Sequence, residues 1–484
     1  MDFDIEPLSS VAAGLSGSER VVLLADRPDF AVPYCFELQI PAPGEEGRAR
    51  GLELLWARVV SITTAVVGSS QLRVRCGHAE TFDHIAAAFA DSPGVRGVLE
   101  AYGPLQVSRV EDSAALPEEA RSLPLLHRLA CAGSCCDVPA DHRAFVGVDF
   151  GRSDVKVAVL DSAGAVLSTY VTRWWQFDGG ERRYVDPAVL TSHEQHLAVM
   201  VEAALSALAQ CPASASRTVC GVGLSAAVCV RGGCLAGVPP AFGGVDKAAA
   251  ADDLSRLEGA LLDRIRERTA VATPCATLLV NDGDASALYG ASGLGDSDKV
   301  GLFLSCGTGL AGGIVRRGRC CDGVLEVGKL VVGLRKPGSS GPVPKHDIMG
   351  VEGAAQGLAG TQRSFFNLLA ARGGERIEGK AEQRAALVAM QKRELDDEVR
   401  DIFQRLGYWL AQFVLELMSY LPMGIHYVEA GGKLTDGPSG VVLLQSAAEV
   451  LKPHGVAEVR RAADSEFGQA VAMASAVRGC GETS

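Results

Sequence analysis

The pattern of apolar and polar positions changes near Ala144. Beyond it, apolar runs of strand length alternate with glycine turns and with segments of helical spacing. The run Phe145–Phe150 predicts a strand, Gly151–Asp154 a turn and Val155–Leu160 a returning strand. The same order of strand, glycine turn and strand begins again at Val300. Two such units predict an internal duplication within an α/β fold.

Residues 1–140 have a less regular pattern, which predicts a small α/β module. Its predicted helix lies near His84–Phe89, and its predicted strands are Glu19–Ala25, Phe36–Ile40, Leu54–Val67, Leu72–Cys76 and Gly97–Ala101. The module is expected to end between residues 123 and 144, where Pro, Gly, Cys and Asp cluster. We assign no chemistry to it.

Composition excludes several classes of function. The 484 residues suggest two to four domains, and 48% hydrophobic with 21% charged residues is ordinary globular usage. A net charge of −12 and only 6% aromatic residues argue against nucleic acid and against an anionic membrane as partners. The acidic start and the lack of a long apolar stretch predict a cytoplasmic protein. The 14 cysteines are therefore expected to be reduced.

An acidic pair follows the apolar run Ala276–Val280. Asn281 and Asp282 should lie at the carboxyl end of that strand, where open α/β sheets bind ligands. A carboxylate placed beside a phosphate-binding glycine turn, here Cys306–Ile314, is a candidate general base. Asp282 could instead cap the helix that follows it, although we prefer Asp284 as that cap.

Three glycine-rich motifs stand in order along the chain. They are GVDFGRSDVKVAVLD (Gly147–Asp161), FLSCGTGLAGGIVRRGR (Phe303–Arg319) and VEAGGKLTDG (Val428–Gly437). Together they resemble the two phosphate motifs and the adenosine motif of the actin, hexokinase and heat-shock chaperone superfamily. Within it, LLVNDGDASALYG and the segment Val324–Val332 are most similar to the repressor, open reading frame and kinase (ROK) family of sugar kinases.

The resemblance implies a fold and a division of the chain. The fold is α/β, a two-lobed actin-like ATPase (ribonuclease H-like) fold, here with a separate small α/β amino-terminal domain. The first lobe would comprise residues 145–290 joined by a closing helix at 465–484, and the second lobe residues 291–464.

The resemblance also implies roles for individual residues. Asp282 would be the catalytic base, and the sugar hydroxyls would face Asn281, Glu326, Lys329 and Glu352. ATP would be bound by Gly151, Arg152, Ser153, Lys156, Gly307, Thr308, Gly309, Gly431 and Gly432. Asp149 would hold Mg²⁺ directly or through water, because magnesium prefers carboxylate oxygens.

The chain departs from the family pattern at three places. Lys329 stands where the family has a histidine, and residues 336–350 contain no cysteine where the family has its zinc-binding cluster. We therefore expect no zinc and an altered substrate. Arg152 replaces a glycine in the first phosphate turn, where it could crowd the nucleotide or add a cation to its phosphates.

The sequence thus predicts an ATP-dependent kinase that phosphorylates a hydroxyl of a sugar or sugar-like polyol, such as a hexose, an amino sugar or a cyclitol. The alternative is a non-catalytic or weakly ATP-hydrolysing regulator of the same fold that senses a sugar or nucleotide. A repressor would need a basic helix-turn-helix, which residues 1–140 do not suggest. The expected partner is a small-molecule sugar or polyol, with no nucleic acid and no membrane; a homodimer stays open.

Overall fold

The computed structural model describes most of the chain. The described residues are 3–28, 30, 32–111, 138–178, 180–212, 218–231, 234–235, 240–246, 257–269, 276–291, 298–307, 309–317, 319–321, 326–341, 343–372, 377, 380–392, 396–462 and 466–481. Among the helices so described, none has the length and apolar character needed to cross a membrane.

The elements are numbered in chain order. The strands are β1 (Ile5–Pro7), β2 (Glu19–Asp26), β3 (Tyr34–Ile40), β4 (Gln71–Cys76), β5 (Gln106–Arg109), β6 (Arg143–Phe150), β7 (Asp154–Leu160), β8 (Val166–Arg173), β9 (Trp175–Asp178), β10 (Glu181–Tyr184), β11 (Thr218–Ala226), β12 (Val230–Arg231), β13 (Cys234–Leu235), β14 (Ala276–Asn281), β15 (Val300–Cys306), β16 (Leu310–Arg316), β17 (Arg319–Cys320), β18 (Gly333–Arg335), β19 (Tyr427–Gly431) and β20 (Glu458–Arg461). The helices are α1 (Leu8–Gly14), α2 (Arg48–Ser61), α3 (Ala79–Ala90), α4 (Pro93–Glu100), α5 (His193–Ala209), α6 (Leu257–Thr269), α7 (Asp282–Ala291), α8 (Ala355–Leu358), α9 (Gln362–Ala371), α10 (Lys380–Lys392), α11 (Asp397–Tyr420), α12 (Gly437–Leu451) and α13 (Gly468–Gly481).

The chain forms two compact units. The catalytic unit, named for the proposed base that it contains, comprises Leu126–Gly295, Gly318–Cys320 and Asp464–Ser484. The second unit comprises Met1–Leu125, Asp296–Arg317 and Cys321–Ala463.

The catalytic unit is built on a five-stranded sheet in the order β14-β11-β6-β7-β8. Strands β6, β11 and β14 are parallel neighbours, whereas β7 runs antiparallel to both β6 and β8. Alternate residues of β6 point to opposite faces, as a strand requires. Val146 and Val148 join the cluster formed with α5 and α6, while Phe145 joins the cluster formed with α13.

Glycines let helix α13 lie directly on this sheet. A Cβ at Gly147 would come within 1.8 Å of the Ala470 carbonyl oxygen, and one at Gly223 within 2.5 Å of the Met473 carbonyl oxygen. The glycine that begins the first predicted phosphate motif therefore serves helix packing rather than ligand binding.

A second five-stranded sheet has the same topology, in the order β17-β16-β15-β19-β20, and its strands β15, β16, β19 and β20 belong to the second unit. Strand β15 is antiparallel to β16 and parallel to β19, which is parallel to β20. When the strands are numbered along the chain within each sheet, both sheets have the order 3-2-1-4-5 with the second strand reversed. This duplicated order is that of the ribonuclease H-like, actin-like ATPase fold, so the predicted fold class is confirmed.

Two of the five strands predicted in the amino-terminal segment are wrong. Leu54–Val67 lies in α2 and in the π-helical turn Ile62–Val66, and Gly97–Ala101 lies in and just after α4. Both runs are buried apolar stretches, for which periodicity does not separate a buried helix from a buried strand. The strands β2, β3 and β4 and the helix α3 were predicted correctly.

The separate amino-terminal domain is not confirmed. The segment has its own sheet, in the order β3-β2-β4-β5, but its apolar residues join one hydrophobic core with those of β15, α9, α11 and α12. Strand β1 pairs with β18, and the Tyr34 hydroxyl donates a hydrogen bond of 2.8 Å to the Tyr420 carbonyl. The buried Arg58 also forms an ion pair with the buried Glu416 of α11. The segment is therefore an integral layer of the second unit.

Candidate functional site

Three neighbouring parallel strands of the catalytic unit have a polar residue at or next to their carboxyl ends. Asp149 of β6 lies beside Ser225 of β11, and Ala226 of β11 lies beside Asn281 of β14. Because the carboxyl ends of adjacent parallel strands meet at one edge, Asp149, Ser225 and the pair Asn281–Asp282 share that edge. This is where open α/β sheets bind their ligands.

Asp149 is a buried carboxylate with one oxygen still available. The Ser225 hydroxyl donates to its Oδ1 at 2.7 Å, and Oδ2 has no hydrogen-bond partner among the described residues. Burial raises the pKa of Asp149, whereas the charge of Lys156 and the Ser225 hydrogen bond lower it. Lys156 occupies the facing position on β7. A carboxylate oxygen without a protein partner fits Mg²⁺, which prefers carboxylate oxygens.

Asn281 is bound to the backbone around it. Its side chain is 3% exposed, its Nδ2 donates to the Val228 carbonyl at 2.9 Å, and its Oδ1 accepts from the Gly283 amide at 2.8 Å. An amide oxygen that accepts from the second residue of the following helix is an N-cap. The predicted sugar contact therefore already has backbone partners on both of its polar atoms.

Asp282 is the first residue of α7 and is partly exposed. Its carbonyl oxygen accepts hydrogen bonds from Gln469 Nε2 at 2.9 Å and from Ser286 Oγ at 3.0 Å, which fixes the backbone at this position. The helix dipole also stabilises a negative charge at a helix start. Asp284 is the third residue of α7 and is buried, so our preference for it as the cap is wrong.

The first phosphate turn is closed by its own backbone. The Gly151 amide donates to the Asp154 carbonyl at 3.1 Å, and Trp174 Nε1 donates to the Gly151 carbonyl at 2.9 Å. The exposed amides that follow, those of Arg152 and Ser153, are therefore the donors that a phosphate could use. The Arg152 guanidinium is half-exposed and lies 3.4 Å from an Asp186 carboxylate oxygen.

The second glycine turn is also closed by a backbone hydrogen bond from its first glycine. The Gly307 amide donates to the Gly309 carbonyl at 3.1 Å, and the Gln362 amide at the start of α9 donates to the Gly307 carbonyl at 2.9 Å. Thr308, predicted to bind phosphate, lies outside the described residues. Cys306 beside the turn is buried, which raises the pKa of its thiol to about 12 and makes it a poor nucleophile.

Gly432 of the predicted adenosine motif packs against this turn. It has a φ of +99°, and a Cβ there would lie 2.4 Å from the Cys306 carbonyl oxygen. Gly431 ends β19 beside Ser305 of β15. The two motifs thus meet within the second unit, where glycine is required both by the backbone conformation and by the close approach.

The predicted sugar-binding segment lies beside the same turn. A Cβ at Gly328 would lie 2.9 Å from the carbonyl oxygen of Leu310, the first residue after the turn. Glu326 precedes the short 3-10 helix Val327–Lys329, and Lys329 Nζ lies 3.8 Å from Glu326 Oε2. Glu352, by contrast, accepts two hydrogen bonds from Arg335, at 2.9 and 3.1 Å, and this pairing lowers the pKa of Glu352.

His346 is a polar residue of this segment that the sequence analysis missed. Its Nδ1 accepts from the Ile348 and Met349 amides at 3.2 and 3.3 Å, and the residue is 5% exposed. Burial, with the nearby charges of Lys329 and Arg363, lowers the pKa of His346 to about 4. Nothing in the local sequence could have distinguished this buried ring from a surface histidine.

Solved structures of ROK proteins resemble the chain. A ROK hexokinase from Thermus thermophilus is 20% identical over 69% of this chain and 98% of its own, with a TM-score of 0.46. A ROK family glucokinase from Streptomyces griseus, solved with glucose and AMPPNP, is 18% identical over 69% and 99% of the two chains, with a TM-score of 0.45. A ROK family transcriptional regulator, described as a homologue of the Escherichia coli MLC protein, is 16% identical over 70% and 79%, with a TM-score of 0.49.

No protein-family model and no curated protein matches the chain. The fold assignment rests on the two sheets themselves, whose shared 3-2-1-4-5 order is independent of those similarity scores. The chain has the ribonuclease H-like, actin-like ATPase fold.

Proposed function

We propose that the chain is an ATP-dependent kinase that transfers the γ-phosphate to a hydroxyl of a sugar or sugar-like polyol. The observation that carries this proposal is the shared strand edge of the catalytic unit, where Asp149, Ser225 and the pair Asn281–Asp282 meet. The partly exposed Asp282 carboxylate at this edge supports the role of a general base.

In this proposal Asp282 is the general base. Its carboxylate would accept the proton of the acceptor hydroxyl while the hydroxyl oxygen attacks phosphorus, which requires alignment more than covalent chemistry. Asn281 holds Asp282 in place by capping α7, and Gln469 fixes the backbone from α13. Asn281 is thus a positioning residue in addition to its predicted place at the sugar.

Asp149 is the proposed residue for holding Mg²⁺, through its available Oδ2 or through water. Magnesium and ATP, when bound, supply the phosphoryl group and the positive charge that stabilises its transfer. Lys156 and the amides of Arg152 and Ser153 would bind phosphate oxygens in the catalytic unit. In the second unit, the Gly307–Gly309 turn would bind phosphate and the backbone at Gly431 and Gly432 would bind the adenosine.

The acceptor would be bound by Glu326, Lys329 and Glu352. Glu352 can serve only if the sugar competes with Arg335 for its oxygens, since both are hydrogen-bonded. Zinc is still not expected in this segment, whose turn is held by the His346 ring and by backbone bonds such as Gly353 N to Pro344 O at 3.0 Å.

The experiment that tests the proposal is a screen for acceptor-dependent ADP release. Purified protein, MgATP and a panel of hexoses, amino sugars, cyclitols and sugar acids are combined, and nucleotide binding is measured in parallel. At least one acceptor should raise ADP release well above the rate with ATP alone. A protein that binds ATP tightly and responds to no acceptor would instead be the regulatory form of the fold.

A further inference from the structure

His196 of helix α5 is fully buried, and both nitrogens of its ring face backbone carbonyl oxygens. Its Nε2 lies 3.0 Å from the Pro187 oxygen and 2.9 Å from the Ala241 oxygen, and its Nδ1 lies 3.0 Å from the Ser192 oxygen. Burial lowers the pKa of His196, whereas these backbone hydrogen bonds raise it. The neutral ring has one N–H group, and a proton on Nε2 serves two of the three carbonyls.

Through Nε2, His196 ties helix α5 to two short 3-10 turns. One is Pro187–Val189, whose first carbonyl accepts from the ring, and the other is Pro240–Phe242, whose middle carbonyl does. Asp186, which caps the first of these turns, also lies 3.4 Å from the guanidinium of Arg152 in the first phosphate turn. The ring thus helps to hold a segment that contacts the proposed phosphate site.

The His196 ring also packs in a cluster of buried aromatic residues. Its centroid lies 4.2 Å from that of Phe242 and 5.5 Å from that of Trp174, and both of these residues are fully buried. Phe150, the last residue of β6, contacts each of them at 5.2 Å. Gly151 follows Phe150 directly, so the cluster lies next to the first phosphate turn.

Trp174 connects this cluster to the turn by a hydrogen bond. Its Nε1 donates to the Gly151 carbonyl oxygen at 2.9 Å, and its own carbonyl oxygen accepts from the Val185 amide at 3.0 Å. Val185 lies two residues before Pro187, whose carbonyl accepts from His196. The phosphate turn, Trp174 and the Pro187 turn are therefore linked in one hydrogen-bonded frame with the His196 ring packed inside it.

We propose that His196 is a positioning residue for phosphate binding: through the Pro187 turn and Trp174 it holds the turn Gly151–Asp154 in the form that binds nucleotide phosphate. This inference rests on the phosphate-binding role proposed for that turn. It concerns binding before any transfer, and His196 itself does not touch the nucleotide. Because only molecules with the turn in place bind phosphate, a turn held less firmly raises the apparent dissociation constant.

The test is a binding titration of the full chain with MgATP and, separately, with adenosine, which lacks the phosphates. His196→Phe keeps a buried aromatic ring but removes the Nε2 donor. It should weaken ATP binding about tenfold, the scale of one hydrogen bond. Adenosine, which the second unit would bind, should bind as it does to the wild type. Thermal unfolding checks that the variant is folded, and His196→Asn, whose shorter amide cannot reach Pro187, replaces it if it is not.

His196→Gln is the conservative variant, because its amide group can donate two hydrogen bonds near the position of Nε2. It should recover most of the ATP affinity, which a residue that only filled the core would not show. Trp174→Phe tests the next contact, since it keeps a ring but loses the donor to Gly151, and it should weaken ATP binding in the same way. His454→Phe, at an exposed histidine, is the control and should bind ATP as the wild type does.

Three results would overturn the inference: unchanged ATP binding in a folded variant without the Nε2 donor, no recovery in His196→Gln, or an equal loss of ATP and adenosine binding. If the wild type phosphorylates an acceptor and the His196 variants bind ATP normally, the kinase proposal stands and the positioning role falls. If no acceptor stimulates ADP release but ATP binding depends on His196 as described, the positioning role stands and the kinase proposal falls. A wild type that binds no ATP would overturn both.

Discussion

The two five-stranded sheets share one topology but end in different chemistry. In the catalytic unit, the next-to-last residue of the first strand is Asp149, beside Ser225 and across from Lys156. The corresponding residue of the second unit is Ser305, beside Gly431 and across from Ala311. One sheet edge therefore presents charged side chains and the other presents mostly backbone.

We propose that the two sheet edges have divided the roles of the site between them. Charged side chains at one strand edge suit a metal and a reacting hydroxyl, whereas glycine backbone suits close approach to a nucleotide. Both hairpin turns are nevertheless closed in the same way, by the amide of their first glycine, Gly151 or Gly307. The two closing bonds span different lengths, from Gly151 to Asp154 in one turn and from Gly307 to Gly309 in the other.

The largest expected effect on stability comes from a substitution at the edge of the second unit that presents mostly backbone. Gly432→Ala should lower the free energy of unfolding by about 3 kcal/mol, because the new Cβ meets the Cys306 carbonyl oxygen and the φ of +99° disfavours alanine. Denaturant unfolding measures it. Gly455→Ala is the matched control, with a φ of +87° and nothing within 4 Å of its Cβ, and should cost only about 1 kcal/mol. Equal losses would show that the close approach is unimportant.

The next variant tests the sheet edge of the catalytic unit, which presents charged side chains. Asp149→Asn should weaken ATP binding about tenfold in the presence of Mg²⁺ and much less without it, since the amide can still accept from Ser225 but binds magnesium poorly. Nucleotide titration with and without the metal measures the change. Ser305→Ala, at the equivalent position of the other sheet, should leave both affinities close to those of the wild type. A similar loss in both variants would contradict the proposed division.

A pH-dependent effect on stability concerns His346. Its folded pKa of about 4 lies below the value of about 6.5 for an unfolded histidine, so the unfolded chain binds more protons between these pH values. The stability that neutral His346 contributes is present above pH 6.5 and should fall by up to about 1.4 kcal/mol per pH unit toward pH 4. His346→Asn should lack this component in unfolding curves measured against pH.

The pKa of His346 also tests whether Lys329 interacts with the ring. Removing the charge in Lys329→Met should raise the pKa of His346, measured from the pH dependence of its ring resonances. An unchanged pKa would show that Lys329 and His346 do not interact.

The sequence was sufficient for the duplicated fold and for the strand edge of the catalytic unit. Asn281–Asp282 followed an apolar run that ends where β14 ends, because strand ends and glycine turns have local signals. It was not sufficient for Asn281 as a cap, for the closed amides of Gly151 and Gly307, or for His346, since each depends on contacts between residues that the local pattern does not relate. The prediction for the buried helix α2 was wrong for a similar reason, because its apolar run fits a strand equally well.

The role of Asp282 is tested most directly by following transfer of labelled γ-phosphate from ATP to the best acceptor of the screen, with wild-type protein and with Asp282→Asn. We expect a phosphorylated acceptor from the wild type and a rate about a hundredfold to ten-thousandfold lower for the variant, the usual contribution of a general base. ATP affinity should be unchanged, and Asp178→Asn, an exposed acid of the same unit, should react as the wild type does. Undiminished transfer by Asp282→Asn would contradict the assignment of the base.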